Sequence, residues 1–201
     1  MAGLSSEEPE RLAKVEDLVV RLQALLQGKD RVTVGISGFG GSGKSHLATQ
    51  LREQFDVEAD QVIKMDRLYS SNPDGPGILD QNDWVLLRRI LLDVREGRPL
   101  RYQGRTYRGR IVDVEEELPR VVIAEGIRLL RPDTLEFFDA TIWINCPQEY
   151  ALQRAKDRDR LQGEDETEVA RWDTDWGPKD RAYFDQYRPD RGAMFLYDGY
   201  R

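Results

Sequence analysis

Cysteine and histidine are almost missing from this chain, which holds one of each, Cys146 and His46. A lone cysteine cannot close an internal disulfide, so a disulfide-stapled scaffold is excluded and a reducing compartment is indicated. Long apolar runs are missing too, since none approaches the roughly 20 residues needed to cross a bilayer. The opening stretch "MAGLSSEEPERLAK" lacks the basic-then-apolar order of a signal peptide. The expectation is a cytoplasmic protein without a membrane. Positive charge is in deficit: the net charge of -7 argues against broad nucleic-acid binding, which normally needs a basic face. Internal repeats and low-complexity linkers are absent as well. With 201 residues the chain suits one α/β domain spanning 1–201.

What the sequence does hold is "GFGGSGKSH", residues 38–46. Gly38, Gly40, Gly41, Ser42, Gly43, Lys44 and Ser45 belong to a G-x-x-x-x-G-K-[ST] run that directly follows the apolar segment Val32–Ser37. Glycines let the backbone close on a polyphosphate and turn successive N–H groups inward, and the following helix adds its positive end. In such a loop Lys44 reaches the β- and γ-phosphates, while the Ser45 hydroxyl ligates the bridging Mg²⁺. ATP and Mg²⁺ are therefore the expected cofactors. His46, one residue further on, reads as a surface or packing residue.

Apolar periodicity divides the rest. Leu12, Val15, Val19, Leu22 and Leu26 recur at helical spacing, predicting a helix over 7–27. Strands are predicted at 32–37, 61–66, 121–126 and 140–146, and "MFLYDG" at 194–199 reads as an edge strand. Helices are predicted after the phosphate loop to about 54, over "DWVLLRRILLDVREG" with Asp83 as cap or first-turn acid and Gly97 at its end, at 147–158 and at 179–187. Alternating strands and helices imply an α/β fold with a parallel sheet and helices on both faces. In such sheets ligands bind beyond the carboxyl ends of the strands, where Asp66 and Glu125 fall. Each also suits a plain role, Asp66 capping a turn and Glu125 pairing with an arginine.

The segments "GISGFGGSGKSHLA", "IKMDRLY", "VVIAEGI" and "QRAKDRDR" resemble, in order and rough spacing, the uridine kinase and phosphoribulokinase group of P-loop kinases over residues 31–198. The resemblance implies a P-loop kinase fold with a mobile lid, at about 154–178, and ATP-dependent transfer to a hydroxyl of a small molecule. It makes Asp66 the base, with Tyr69 beside it, although Leu68 replaces the family's phenylalanine. It also implies that Glu125 organises magnesium, with Asp66 near the metal, and that Arg154, Arg158 and Arg160 are the arginines that close over phosphate, Arg158 in a catalytic role. Each of those arginines equally fits a solvated helix face.

On the acceptor side the pattern departs from the family. "ILDQNDW" replaces a His-Pro-Asp-Ala-Phe-Asp-like segment, leaving Asp80 and Asp83 as expected ribose or polyol ligands. "RYQGRTYRGR" offers no histidine to read a pyrimidine, and its Arg105, Arg108 and Arg110 suit either an anionic acceptor or exposed strand charges. Arg188 belongs to an aromatic-rich segment that suits core packing or a wall of the acceptor site. The lead expectation is a kinase for a nucleoside or related ribose or polyol metabolite. The alternative is an anionic acceptor of pantothenate, glycerate or phosphosugar type. A guanine-reading Asn-Lys-x-Asp motif and a Leu-Ser-Gly-Gly-Gln signature are absent, which weighs against switch and transporter ATPases. A regulator that only binds ATP is disfavoured by the intact Lys44, Ser45, Asp66 and Glu125. Monomer and homo-oligomer remain equally open.

Overall fold

Continuous apolar runs become the centre of a parallel sheet, because strands covered on both faces have no polar side to show. The computed structural model describes residues 8–198. Strand β1 (Glu10–Leu12) leads into helix α1 (Val15–Leu26), and β2 (Val32–Ser37) passes through the glycine loop into α2 (Lys44–Gln54). The short β3 (Ile63–Lys64) precedes α3 (Trp84–Arg95). Strands β4 (Leu100–Arg105) and β5 (Ile111–Glu116) form an antiparallel hairpin of their own. Then come β6 (Val121–Glu125), α4 (Pro132–Leu135), β7 (Ala140–Ile144) and α5 (Gln148–Leu161). The charged segment folds as α6 (Glu166–Arg171), a π-helical stretch (Trp172–Trp176) and α7 (Gly177–Tyr187). Helix α8 (Pro189–Gly192) and strand β8 (Phe195–Tyr197) follow.

The main sheet runs β1-β8-β7-β2-β6-β3, with every neighbouring pair parallel. Strand β6 shows how it divides the interior. Val121 and Ile123 join a core with α1, α2 and Ala151 of α5, whereas Val122 and Ala124 join a second core with α3 and the hairpin. Alternate residues point to opposite faces, so helices cover both. All six strands run the same way, which brings the ends of β2, β3 and β6 to one rim.

Three expectations are corrected. The helix predicted over 7–27 is helical only over Val15–Leu26, and residue 7 lies outside the described residues. Glu10–Leu12 is instead recruited as β1, because β8 offers open backbone partners: Glu10 N–H donates to Met194 O at 3.0 Å and Asp198 N–H to Leu12 O at 2.9 Å. Consequently β8 is not an edge strand but lies between β7 and β1, while Gly199 falls outside the described residues. The strand predicted over 61–66 shrinks to two residues because a 3₁₀ turn, Met65–Arg67, bends the chain, with Leu68 N–H donating to Met65 O at 3.1 Å.

Asp83 caps α3 as predicted: its carboxylate accepts from Leu86 N–H at 2.8 Å. Replacing Asp83 with alanine is expected to cost about 1 kcal/mol of folding stability, with serine restoring most of it. Denaturation curves of Asp83→Ala and Asp83→Ser check this; unchanged stability with weakened acceptor use would return Asp83 to the site.

Candidate active site

The glycine loop is shaped by what packs on it. Gly41 and Gly43 sit at φ of +81° and +103°, a left-handed region that side chains disfavour. A Cβ on Gly41 would fall 2.1 Å from Ala151 O of α5, and one on Gly40 would fall 2.3 Å from the Trp172 ring. Helix α5 and Trp172 therefore touch the loop backbone directly. Gly38 is similarly closed, with the Ser42 hydroxyl 2.6 Å from where its Cβ would be, and that hydroxyl is enclosed without a hydrogen-bond partner among the described residues. Lys44 opens α2 and is buried; its Nζ donates to Gly38 O at 3.1 Å and Phe39 O at 2.8 Å. Burial pushes its pKa down, opposed chiefly by the charges of Glu125 and Asp180.

The parallel strands deliver the other groups to the same rim. Ser45 Oγ donates to Glu125 Oε1 at 3.0 Å, joining the start of α2 to the end of β6. Glu125 is buried and its pKa is raised, by burial first and by Asp66 in addition, with Lys44 and Ser45 pulling the other way. Asp66 sits on the 3₁₀ turn after β3, and its carboxylate makes no hydrogen bond among the described residues. One cleft of about 440 Å³ is lined by Gly40, Gly41, Lys44, Ser45, Asp66 and Glu125. Tyr69, Arg108 and Arg158 line it too.

The far wall is aromatic. Tyr69, Tyr107, Trp176 and Trp172 form an edge-to-face chain with ring centroids 5.5, 5.9 and 4.9 Å apart. The Tyr69 hydroxyl is pushed up to about 12, by burial first and then by Asp66. Charged neighbours are largely paired: Arg108 binds Glu164, and Arg158 donates to Asp159 at 2.7 Å. Trp172 Nε1 donates to the other Asp159 oxygen at 2.6 Å, fixing the indole over the loop.

Several predicted residues do not line this cleft. Asp80 closes its own loop by accepting from Gly77 N–H at 2.8 Å, and Asp83 caps α3. Both carboxylates are thus occupied by backbone. Arg105 is an exposed residue of β4, Arg110 follows the hairpin turn, and Arg188 pairs with Asp190 at the end of α7. Of the three arginines of α5 only Arg158 lines the cleft: Arg154 lies over Tyr150, and Arg160 binds Glu166. Exposed His46 is likewise not among the lining residues.

Sequence reasoning missed a buried ion pair behind the loop. Arg128 Nη2 donates to Asp180 Oδ1 at 2.7 Å, and Asp180 Oδ2 accepts from Gly40 N–H at 3.0 Å. Arg128 Nη1 also donates to Ile78 O and to Gln81 Oε1, both at 2.9 Å. The faint signal was Arg128 following "EGI", an arginine where an apolar strand has just ended.

A parallel sheet with helices on both faces and a glycine-rich loop at its carboxyl rim is the P-loop kinase α/β fold. A candidate fructose transport system kinase of Silicibacter sp. TM1040 shares it with a TM-score of 0.71 at 22% identity, over 89% of this chain and 98% of that one. The chain is similar in sequence to the uridine kinase of Limosilactobacillus reuteri, at 24% identity over 69% of this chain and 70% of that one. It is also similar to that of Clostridium perfringens, at 29% over 65% and 69%. No family model matches the chain. Together these likenesses point to the uridine kinase superfamily of P-loop kinases.

The raised Glu125 pKa has a signed consequence. A carboxylate whose folded pKa lies above the ordinary 4.5 becomes fully ionised only above that raised value. Cation binding that uses ionised Glu125 should thus decline, as pH falls, before an ordinary glutamate would titrate. Mg²⁺ titrations of wild type and Glu125→Gln across pH check this: the wild type loses affinity in that window, and the variant shows weaker affinity without the same step.

Proposed function

We propose that this chain is an ATP- and Mg²⁺-dependent kinase that transfers the γ-phosphate to a hydroxyl of a neutral nucleoside- or polyol-like metabolite, in the manner of the uridine kinases it resembles. The observation that carries the reading is the meeting of Lys44, Ser45, Glu125 and Asp66 in one cleft. The donor set suits magnesium. A hydroxyl and a carboxylate already 3.0 Å apart are hard oxygen ligands, and no cluster of three or more His, Cys, Asp or Glu residues that could hold a metal occurs among the described residues. Mg²⁺ commonly takes one or two protein oxygens and completes its shell with phosphate and water. Held there by Ser45 and Glu125, the ion would supply positive charge against that developing on the phosphates.

Each residue of the chain then has a task. The loop N–H groups and the start of α2 hold the phosphates, and Lys44 exchanges its contacts with Gly38 O and Phe39 O for phosphate oxygens. Asp66 orients the acceptor hydroxyl and takes its proton, at a carboxylate with no competing hydrogen bond among the described residues. Tyr69 borders that position. Phosphoryl transfer has a loose transition state, so alignment and charge supply most of the catalysis. The segment from about 154 to 178 serves as a lid whose Arg158 adds charge and whose Trp172 and Trp176 exclude water. We read the whole chain as one kinase unit working in the cytoplasm.

A neutral acceptor is favoured over an anionic one by the state of the arginines. Arg105 and Arg110 do not line the cleft, and Arg108, which does, is paired with Glu164. Among the described residues five acids line the cleft, Asp66, Glu125, Asp159, Glu164 and Glu168, against the three cations Lys44, Arg108 and Arg158. A carboxylate on the acceptor would meet like charge.

ATP turnover with and without neutral and acidic acceptors tests the reading. Lys44→Ala should lower acceptor-dependent turnover by about two orders of magnitude or more while the protein stays folded, because the lysine acts on transition-state charge. Near-normal turnover in a folded variant removes the phosphate-loop role. Asp66→Asn should keep nucleotide affinity, measured by calorimetry, yet lower turnover by about 10²-fold or more, since the amide cannot take the proton. Collapse of nucleotide affinity instead would assign Asp66 to the metal and nucleotide.

A further inference from the structure

Two neighbouring amides, Gln81 and Asn82, line the cleft and are both almost fully buried. Their bonding differs. Asn82 directs Nδ2 at Met65 O, 2.8 Å, and Leu68 O, 3.3 Å, so its donors hold the turn that carries Asp66. Gln81 commits the opposite end. Its Oε1 accepts from Arg128 Nη1 at 2.9 Å, and a guanidinium can only donate, so the amide cannot turn over. Arg128 is itself held by Asp180, which also fixes Gly40 N–H. Gln81 Nε2 is therefore left as a directed pair of donors, with no partner among the described residues and without being sealed inside the protein.

We infer that Gln81 is a specificity-determining residue of the acceptor site, and that its Nε2 donates to an oxygen of a neutral, hydroxyl-bearing substrate. The inference rests on the kinase reading of the cleft and deepens it. The acids of the cleft can only accept from a substrate hydroxyl when ionised, and Arg108 and Arg158 are occupied by Glu164 and Asp159. Gln81 supplies the complementary donor, a neutral one that adds no charge. Arg128 and Asp180 act through it as positioning residues: the same ion pair orients the amide on the acceptor side and the Gly40 N–H on the phosphate side.

The decisive variant is Gln81→Glu, which keeps shape and gives Arg128 a better partner, but replaces the two donors with an acceptor. Steady-state ATP turnover is measured with uridine, D-ribose and D-fructose. With any of these that stimulates the wild type, the variant should raise the acceptor KM about tenfold or more, because a site built to donate is left with an unmatched oxygen. The KM for ATP should stay within about twofold and the melting temperature should not fall. An unchanged acceptor KM overturns the inference and leaves Gln81 as a mere support for Arg128. Equal rises in both KM values overturn it as well. Should Gln81→Glu fail to fold, Gln81→Met removes the donors without charge and is judged by the same split. If none of the three acceptors stimulates the wild type, the neutral-acceptor reading itself fails, and the inference falls with it.

Discussion

Much of the site depends on one buried ion pair, Arg128 with Asp180, whose side chains are 0% and 4% exposed. Taking two charges out of water is costly, and the attraction between them repays it only when the remaining donors and acceptors are also satisfied. Here that requirement organises the surroundings. The guanidinium reaches Asp180, Ile78 O and Gln81, and the second Asp180 oxygen reaches Gly40 N–H. Four segments distant in sequence are thus held in one arrangement: the glycine loop, the turn after β6, the loop before α3 and helix α7. Arg128 adopts a left-handed φ of 59°, a conformation that costs energy and persists where the neighbours over-determine it.

A second tension lies in front of that pair. Burial disfavours the charged forms of both Lys44 and Glu125, and each partly relieves the other through its charge. Lys44 is meanwhile satisfied by the carbonyls of its own loop, and Ser45 by Glu125. The loop therefore holds its shape through internal hydrogen bonds, and the glycines that permit this are enforced by Trp172 and α5 pressing on them.

The glycine loop and strands β2, β6 and β7 were legible because a strand buried on both faces writes an unbroken apolar run, and because a glycine-rich loop before Lys44 has few other uses. Asp83 was legible as a cap. Other features left little local trace. Strand β1 is three residues long and owes its state to partners near residue 195, so its helical-looking Leu12 misled. Strand β3 was cut short by a turn that no proline or glycine announced. Arg128 and Asp180 lie 52 residues apart, and each alone reads as a surface charge in a chain full of them. Asp80 resembled a ligand because sequence shows a carboxylate but not the backbone N–H of Gly77 that occupies it.

The hairpin has a different kind of consequence. It contributes no strand to the six-stranded sheet, yet its tip places Tyr107 and Arg108 in the cleft while Tyr102 and Val114 anchor its base in the core. Tyr69 N–H donates to Arg105 O at 2.9 Å, and the Tyr69 and Tyr107 rings meet 5.5 Å apart, so the tip is coupled to the turn after Asp66 through backbone and side chains together. Tyr107 of the tip also meets Trp176, which meets Trp172 above Gly40, so a change at the tip is transmitted along the aromatic wall as far as the glycine loop.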